Sequence, residues 1–210
     1  MAERCWDKDS LPEQGRRIRR REGIGKPPAQ RGLAPRDTER HPARVTGSPS
    51  FTLRLAKQDF KFAAAHFTLF PDGSGELLHG HNFRVRVEVQ GPETGAAGLL
   101  LDVASLKERI RELCRELDER TLIPEKSSLL HLRRDSDAVE VALGERCYRL
   151  PLQDVTLLPL PNVTIEGLAR MLWQQLAPAL ARTRLTGLGV EVEESAGQSC
   201  TYCAPLPPPR

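Results

Sequence analysis

The segment from His79 to Gln90 alternates between apolar and polar side chains, and this alternation constrains the fold more than any other feature. Its regular apolar positions are Phe83, Val85, Val87 and Val89. Successive side chains of an extended strand point to opposite faces, so this spacing predicts a β-strand with one buried face and one solvated face.

Two other segments show the same spacing of two. Residues 51–67 carry apolar side chains at Leu53, Leu55, Phe60, Phe62 and Ala64. We interpret this segment as a strand with one buried face, and His66 shares the parity of the last three of these residues. A turn at 71–75 separates it from the next strand. The last strand is predicted from Leu188 to about Ser195.

Two segments have the rhythm of amphipathic helices instead. The first carries apolar residues three or four positions apart, at Val103, Leu106, Ile110, Leu113 and Leu117. The second begins after Thr164, a favourable N-cap residue, and we expect Pro178 to end or bend it.

The region between the two helices, 121–160, contains two short strand-like pieces around 139–143 and 147–152. Gly144 and Glu145 join them, which suggests an inserted hairpin. The element order predicts an α+β fold, in which an antiparallel sheet is covered on one face by two helices.

The two ends of the chain differ in composition from residues 51–203, the segment that we assign to the folded domain. The first 50 residues hold 12 of the 31 Lys and Arg residues but 7 of the 28 Asp and Glu residues, and therefore carry a net charge of +5. Residues 1–50 should be a disordered basic tail, and 204–210 a Pro-rich tail. No aromatic residues interleave with the arginine cluster at 16–21, so nucleic-acid binding is not expected.

The expected compartment is the cytoplasm. No apolar run approaches the roughly 20 residues that cross a bilayer, and no apolar segment follows the N-terminal basic stretch as in a secretory signal. Five cysteines, an odd number, argue against a disulfide framework.

Three of the five histidines can meet at one point. His79 and His81 are two residues apart at the start of a strand, which sends both imidazoles to one face. His66 ends the preceding strand and can reach the same point if the two strands pair. Three imidazoles with a fourth position left open are typical of a catalytic Zn²⁺ site.

Other interpretations of these residues remain open. Each histidine alone would more often be a core or surface residue, and His-x-His pairs also occur by chance. Cys200 and Cys203 form a Cys-x-x-Cys pair that could bind zinc or act in redox exchange, but no partner motif lies nearby and we treat it as incidental. His41 and His131 are expected to be exposed and unrelated to the site.

Five sequence blocks resemble the 6-pyruvoyl- and 6-carboxytetrahydropterin synthase family, in the family's order. They are Phe60 to His66 followed by His79-Gly80-His81-Asn82-Phe83, then Leu101 to Lys107, Leu117-Asp118, Asn162 to Ala169, and Val192 to Ser195 with Cys200 and Tyr202. The resemblance implies a tunnelling fold whose subunits join their sheets into an oligomeric barrel, as a homo-trimer or homo-hexamer with sites at subunit interfaces.

The resemblance also implies a substrate and a site. The substrate would be the pterin 7,8-dihydroneopterin triphosphate. His66, His79 and His81 would bind Zn²⁺, Glu194 would anchor the pterin through two charge-assisted hydrogen bonds, and Thr164 would help to hold the ring. Without the motif, Glu194 would be an exposed carboxylate at a strand end and Thr164 only a helix cap.

The chain departs from the family pattern at two catalytic positions. Gly75 stands where the family usually has a cysteine, and Glu119 where it usually has a histidine. Glu76 resembles the glutamate that replaces the cysteine in one branch, whose enzymes form 6-hydroxymethyl-7,8-dihydropterin for folate synthesis. We therefore predict Glu76 as the catalytic base, with Asp118 and Glu119 as a proton relay, although all three could be exposed charges.

The predicted function is that of a zinc-dependent lyase acting on the pterin side chain. The 6-carboxy product of queuosine biosynthesis, the 6-pyruvoyl product and the hydroxymethyl product share the same anchoring residues. A non-catalytic pterin- or metal-binding protein is the alternative, because the cysteine and the histidine are missing.

Overall fold

The computed structural model describes residues 50–92, 94–181 and 183–206. The predicted N-terminal tail, except Ser50, and residues 207–210 lie outside this part of the chain. The described residues form ten strands, two α-helices and a short 3₁₀ helix. In chain order these elements are β1 (Phe51–Leu55), β2 (Lys61–His66), β3 (His79–Gly91), α1 (Ala104–Leu117), β4 (Arg120–Pro124), β5 (His131–Arg134), β6 (Ala138–Leu143), β7 (Arg146–Pro151), the 3₁₀ helix (Leu152–Asp154), β8 (Val155–Leu158), α2 (Ile165–Leu180), β9 (Gly187–Ser195) and β10 (Gln198–Pro205).

The main sheet has seven strands, and β3 is its centre. Six strands follow the order β10-β9-β3-β2-β4-β8, while β1 pairs with the distal half of β3. The antiparallel register between β2 and β3 places His66 opposite His79 and Ala64 opposite His81. This register brings the ends of two strands, and their histidines, to the same place.

The α+β architecture is confirmed, but three details of the sheet differ from the prediction. The apolar segment 51–67 forms two strands, because a turn at 56–60 interrupts it and both pieces pair with β3. The sheet is not purely antiparallel, since β4 pairs parallel with both β2 and β8. The strands β4, β8 and β10, and β5 of the insertion, were not predicted, so the predicted last strand, β9, is followed by another.

Both helices contribute their apolar side chains to the core that contains the buried face of the sheet. That core includes Phe83, Val85 and Val87 from β3, none more than 3% exposed. Thr164 is the N-cap of α2, as predicted, and its Oγ1 accepts a hydrogen bond from the Gly167 N–H at 3.2 Å. Pro178 does not end α2, which continues to Leu180, because a proline in the last turn removes one intrahelical bond at most. Neither helix has the length and apolarity that crossing a membrane would require, and the described residues contain no other candidate.

The predicted hairpin in the insertion is part of a separate three-stranded antiparallel sheet, ordered β5-β6-β7. Gly144 adopts φ +58°, as the tight turn between β6 and β7 requires. A second apolar core joins this sheet to the loop after β2. Its buried members are Phe67, Leu69, Ile123, Leu130, Val139, Val141 and Leu143.

The prediction of a Pro-rich tail from residue 204 is wrong for residues 204–206. β10 pairs with β9 as far as Pro205, and Leu206 is buried, with its N–H donating a hydrogen bond to the Thr186 oxygen at 3.0 Å. β10 is an edge strand, where a terminal proline is tolerated. The folded domain therefore extends to Leu206 rather than to Cys203.

Candidate metal centre

The three predicted histidines converge at the end of the β2–β3 pair. Their ring centroids lie 4.8 Å apart for His66–His79, 5.4 Å for His66–His81 and 4.8 Å for His79–His81. His66 is buried, whereas the side chains of His79 and His81 are partly exposed. The site therefore has one buried wall and one open side.

Backbone carbonyls fix the protonation of two of these rings. His66 Nδ1 lies 3.0 Å from the Val163 oxygen, and His79 Nδ1 lies 2.8 Å from the Leu77 oxygen. A carbonyl oxygen only accepts, so Nδ1 carries the hydrogen in both rings and the neutral ring presents a lone pair at Nε2. Burial lowers the pKa of His66, which favours this neutral form, the one that binds metals.

Glu194 on β9 completes the group. Its Oε1 lies 2.9 Å from His66 Nε2 and 3.3 Å from His81 Nε2, and its Oε2 accepts a hydrogen bond from Gln198 at 2.9 Å. The four potential ligand atoms, from three histidines and Glu194, all lie within 4.8 Å of one another.

The surroundings of the buried Nε2 of His66 show whether a cation would fit this group. It makes no hydrogen bond within the described residues, although Glu194 Oε1 is close, because a lone pair and a carboxylate oxygen cannot bond to each other. A cation held by the three imidazoles would use this lone pair and would attract the nearby carboxylate. Three imidazole nitrogens around one point suit a divalent metal such as Zn²⁺.

A cavity of about 390 Å³ opens beside this group. It is lined by His81, Asn82, Arg84, Glu193 and Glu194, together with three small residues. This volume lies within the range of pockets that hold small molecules. Glu194 and His81 therefore belong both to the histidine group and to the lining of a space large enough for a ligand.

Glu76 lies at the edge of the histidine group. Its Oε2 is 4.0 Å from His79 Nε2 and accepts a hydrogen bond from the Thr68 N–H at 3.0 Å. Burial alone would raise the pKa of Glu76, but hydrogen bonding from Thr68 outweighs it and holds the pKa below its usual value. The carboxylate is thus ionised and partly open to solvent.

Asp118 and Glu119 are not part of the histidine group in this chain. Asp118 Oδ1 accepts a hydrogen bond from the Ala63 N–H, and the Glu119 N–H donates to the Ala63 oxygen, each at 2.7 Å. Both residues line a cavity of about 440 Å³ to which neither the three histidines nor Glu194 contributes. Asp118 has a structural role because it connects the end of α1 to β2.

The rival Cys-x-x-Cys pair does not form a metal-binding group with other residues in the described part of the chain. Cys200 and Cys203 are free thiols on β10, where an odd spacing sends side chains to opposite faces. Neither belongs to the metal-binding group found among the described residues. His131 also lies outside it, on β5, and His41 lies outside the described residues.

Several residues that support the site were not predicted from the sequence. The carbonyls of Val163 and Leu77 orient the imidazoles, but a backbone carbonyl is common to every residue. Asn162 holds the loop after β2 by accepting from the Leu69 N–H at 3.0 Å and donating to the Leu69 oxygen at 2.9 Å. Asn162 and Val163 both lie in one of the blocks that resemble the family, and this resemblance is the signal that could have pointed to them.

The comparisons with known proteins agree with this fold. The 6-pyruvoyl tetrahydropterin synthase family model matches residues 55–205. A predicted 6-carboxy-5,6,7,8-tetrahydropterin synthase of Methanocaldococcus jannaschii is 26% identical over 145 residues, which cover 68% of this chain and 88% of the relative. A similar protein of Pyrococcus abyssi is 29% identical over 117 residues, which cover 55% of this chain and 69% of the relative.

Solved structures give the same result. The crystal structure of 6-pyruvoyl tetrahydropterin synthase from Plasmodium vivax superposes with a TM-score of 0.71 at 27% identity, over 75% of this chain and 99% of that chain. A variant of that enzyme, with a catalytic glutamate replaced by alanine, has the same TM-score of 0.71 at 26% identity and the same coverage. The chain therefore belongs to the 6-pyruvoyl tetrahydropterin synthase family.

Proposed function

We propose that this protein is a zinc-dependent lyase that acts on the side chain of 7,8-dihydroneopterin triphosphate. One observation carries the proposal: three imidazoles and the Glu194 carboxylate surround one point, and the Glu76 carboxylate lies 4.0 Å from His79 Nε2 at its edge. Family membership supplies the substrate class, because the relatives are pterin synthases.

In this proposal His66, His79 and His81 hold Zn²⁺ through their Nε2 atoms. The fixed Nδ1–H bonds of His66 and His79 keep two of these nitrogens available for the metal without rearrangement. Bound zinc would act as a Lewis acid that lowers the pKa of a side-chain hydroxyl of the substrate.

Glu76 takes the proton from that hydroxyl. Loss of the O–H proton from the second side-chain carbon turns this carbon into a carbonyl and breaks its bond to the first carbon, so the two outer carbons leave as an aldehyde that carries the triphosphate. The electron pair passes to the pterin, which then takes up a proton and becomes 6-hydroxymethyl-7,8-dihydropterin. A glutamate is also described as a catalytic residue in the P. vivax enzyme, which supports this role for a carboxylate.

Glu194 anchors the pterin ring in the cavity of about 390 Å³. Its two oxygens have enough lone pairs to keep the Gln198 hydrogen bond and to accept two N–H bonds from the pterin edge. Thr164 follows Val163, whose carbonyl orients His66. The side chain of Thr164 can contact the pterin ring while its Oγ1 also caps α2.

The proposed relay of Asp118 and Glu119 needs a second subunit. In one chain these residues line a cavity to which the histidines do not contribute. A homo-trimer or homo-hexamer that places this cavity against the histidines of a neighbouring subunit would complete the site.

Product analysis tests the proposed function. Zinc-loaded protein is incubated with 7,8-dihydroneopterin triphosphate, and the pterins are separated by chromatography. The hydroxymethyl product supports the reaction written above. The 6-carboxy or 6-pyruvoyl product would show that the protein is a pterin synthase of this family but serves a different pathway. Absence of turnover would support the alternative, a non-catalytic pterin- or metal-binding protein, which Gly75 and Glu119 also favour.

Replacing Glu194 by glutamine tests its role. Glu194→Gln should weaken pterin binding by roughly 10- to 100-fold, because one acceptor oxygen and the negative charge are lost. Zinc affinity should change by less than about tenfold, because three imidazoles remain. Calorimetric titration of each ligand measures both. Loss of zinc without an effect on pterin binding would make Glu194 a metal ligand instead.

A further inference from the structure

The three-stranded sheet of the insertion contacts the loop that carries Glu76. Arg146, the first residue of β7, donates two hydrogen bonds to this loop: Nη1 to the Glu76 oxygen and Nη2 to the Gly75 oxygen, each at 2.7 Å. A planar guanidinium that holds two successive carbonyls restrains the direction of the backbone between them. Arg146 therefore restrains the backbone that carries the Glu76 carboxylate.

Gly75 lies against the same sheet, where a side chain would come very close to its neighbours. A Cβ atom at this position would lie 2.8 Å from Leu143 Cδ2 on β6, 3.2 Å from Leu69 Cδ2 and 3.2 Å from the Thr68 oxygen. Leu143 and Leu69 are buried in the second core, so neither can move away freely. Gly75 does not have a positive φ, and the available space rather than the backbone angle accounts for glycine here.

The remaining contacts of the loop also restrain the backbone at positions 75 and 76. The Glu76 N–H donates to the Thr68 oxygen at 2.9 Å, while Glu76 Oε2 accepts from the Thr68 N–H. An isolated antiparallel bridge pairs Leu69 with Gly75. The two ends of the loop are thus bonded to each other, and Arg146 holds the carbonyls of Gly75 and Glu76.

We propose that the inserted sheet positions the catalytic base, with Arg146 as a positioning residue for Glu76 and Leu143 as the residue that excludes a side chain at position 75. This inference rests on the proposed role of Glu76. It gives a physical reason why a carboxylate at position 76, and not a thiol at position 75, serves the site in this chain.

Conservative replacements of two arginines on β7 test the positioning role. Arg146→Lys keeps the charge but cannot hold both carbonyls, and we expect kcat to fall about tenfold or more with KM and zinc content little changed. Arg149→Lys is the matched control, because Arg149 contacts Glu140, Asp135 and Asp137 inside the insertion. Equal kcat for the wild type and Arg146→Lys would overturn the proposal.

Amide hydrogen exchange tests the same contact without turnover. The Glu76 N–H should exchange several times faster in Arg146→Lys than in the wild type, and at the wild-type rate in Arg149→Lys. Unchanged exchange at Glu76 would refute the positioning role even if the enzyme is active. If the wild type has no lyase activity but Arg146→Lys still speeds exchange at Glu76, the proposed function is refuted. The contact between Arg146 and the loop that carries Glu76 is then still supported.

A pair of core variants tests the exclusion at position 75. Gly75→Ala should lower kcat and speed exchange at Glu76, because the new methyl group displaces the loop from Leu143. Adding Leu143→Val removes the atom nearest to this methyl group, and kcat should recover in part. A Gly75→Ala variant with wild-type kcat and exchange would show that position 75 has space, which contradicts the inference.

Discussion

Replacement of Glu76 by alanine is expected to lower kcat for cleavage of the pterin side chain by at least about 100-fold, the lower end of what a positioned general base contributes. Zinc should remain bound at the wild-type stoichiometry, because Glu76 Oε2 is 4.0 Å from His79 Nε2 and the three imidazoles are intact. Product chromatography gives kcat, and elemental analysis of the purified protein gives the zinc content.

Two further variants separate proton transfer from structure. Glu76→Gln keeps an oxygen that can accept from the Thr68 N–H but cannot take up a proton, and it should be as slow as the alanine variant. Glu145→Ala removes an exposed glutamate from the turn between β6 and β7 and should have wild-type kcat. Wild-type turnover in Glu76→Gln would mean that another group is the base.

The elements that the sequence predicts best are those whose apolar side chains recur at a spacing that shows which face is buried. β3 alternates because one face packs on the helices and the other faces solvent, and α1 repeats its apolar residues because one side is buried. The three histidines were predictable for the same reason, since strand parity determines which faces they share.

Other elements depend on contacts that no local pattern contains. β4 and β8 are only five and four residues long, too short for a clear period, and they form strands because the neighbouring strands pair with them. β10 alternates only between exposed and half-buried side chains, so its hydrophobic signal is weak. The approach of Glu194 to His66 and the contact of Arg146 with Glu76 join positions far apart in the chain, and only the fold brings them together.

Removal of one histidine should remove the metal. His79→Ala is the most informative variant, because the His79 side chain is 37% exposed and its loss disturbs the core little. We expect zinc affinity to fall by at least about 100-fold, more than the roughly 10- to 100-fold that follows loss of a ligand's hydrogen-bonding partner. Turnover should fall with it, and competition with a chelator of known affinity gives the zinc dissociation constant.

His66→Ala should have the same effect on zinc but also destabilise the fold, because His66 is 1% exposed and its loss leaves the buried Val163 oxygen without its partner. His131→Ala is the control, since this exposed histidine lies on β5 outside the group, and it should bind zinc normally. Comparing the three variants separates loss of a ligand from loss of structure. Zinc binding of wild-type affinity in a folded His79→Ala protein would contradict the three-imidazole site, because two imidazoles would then suffice to hold the ion.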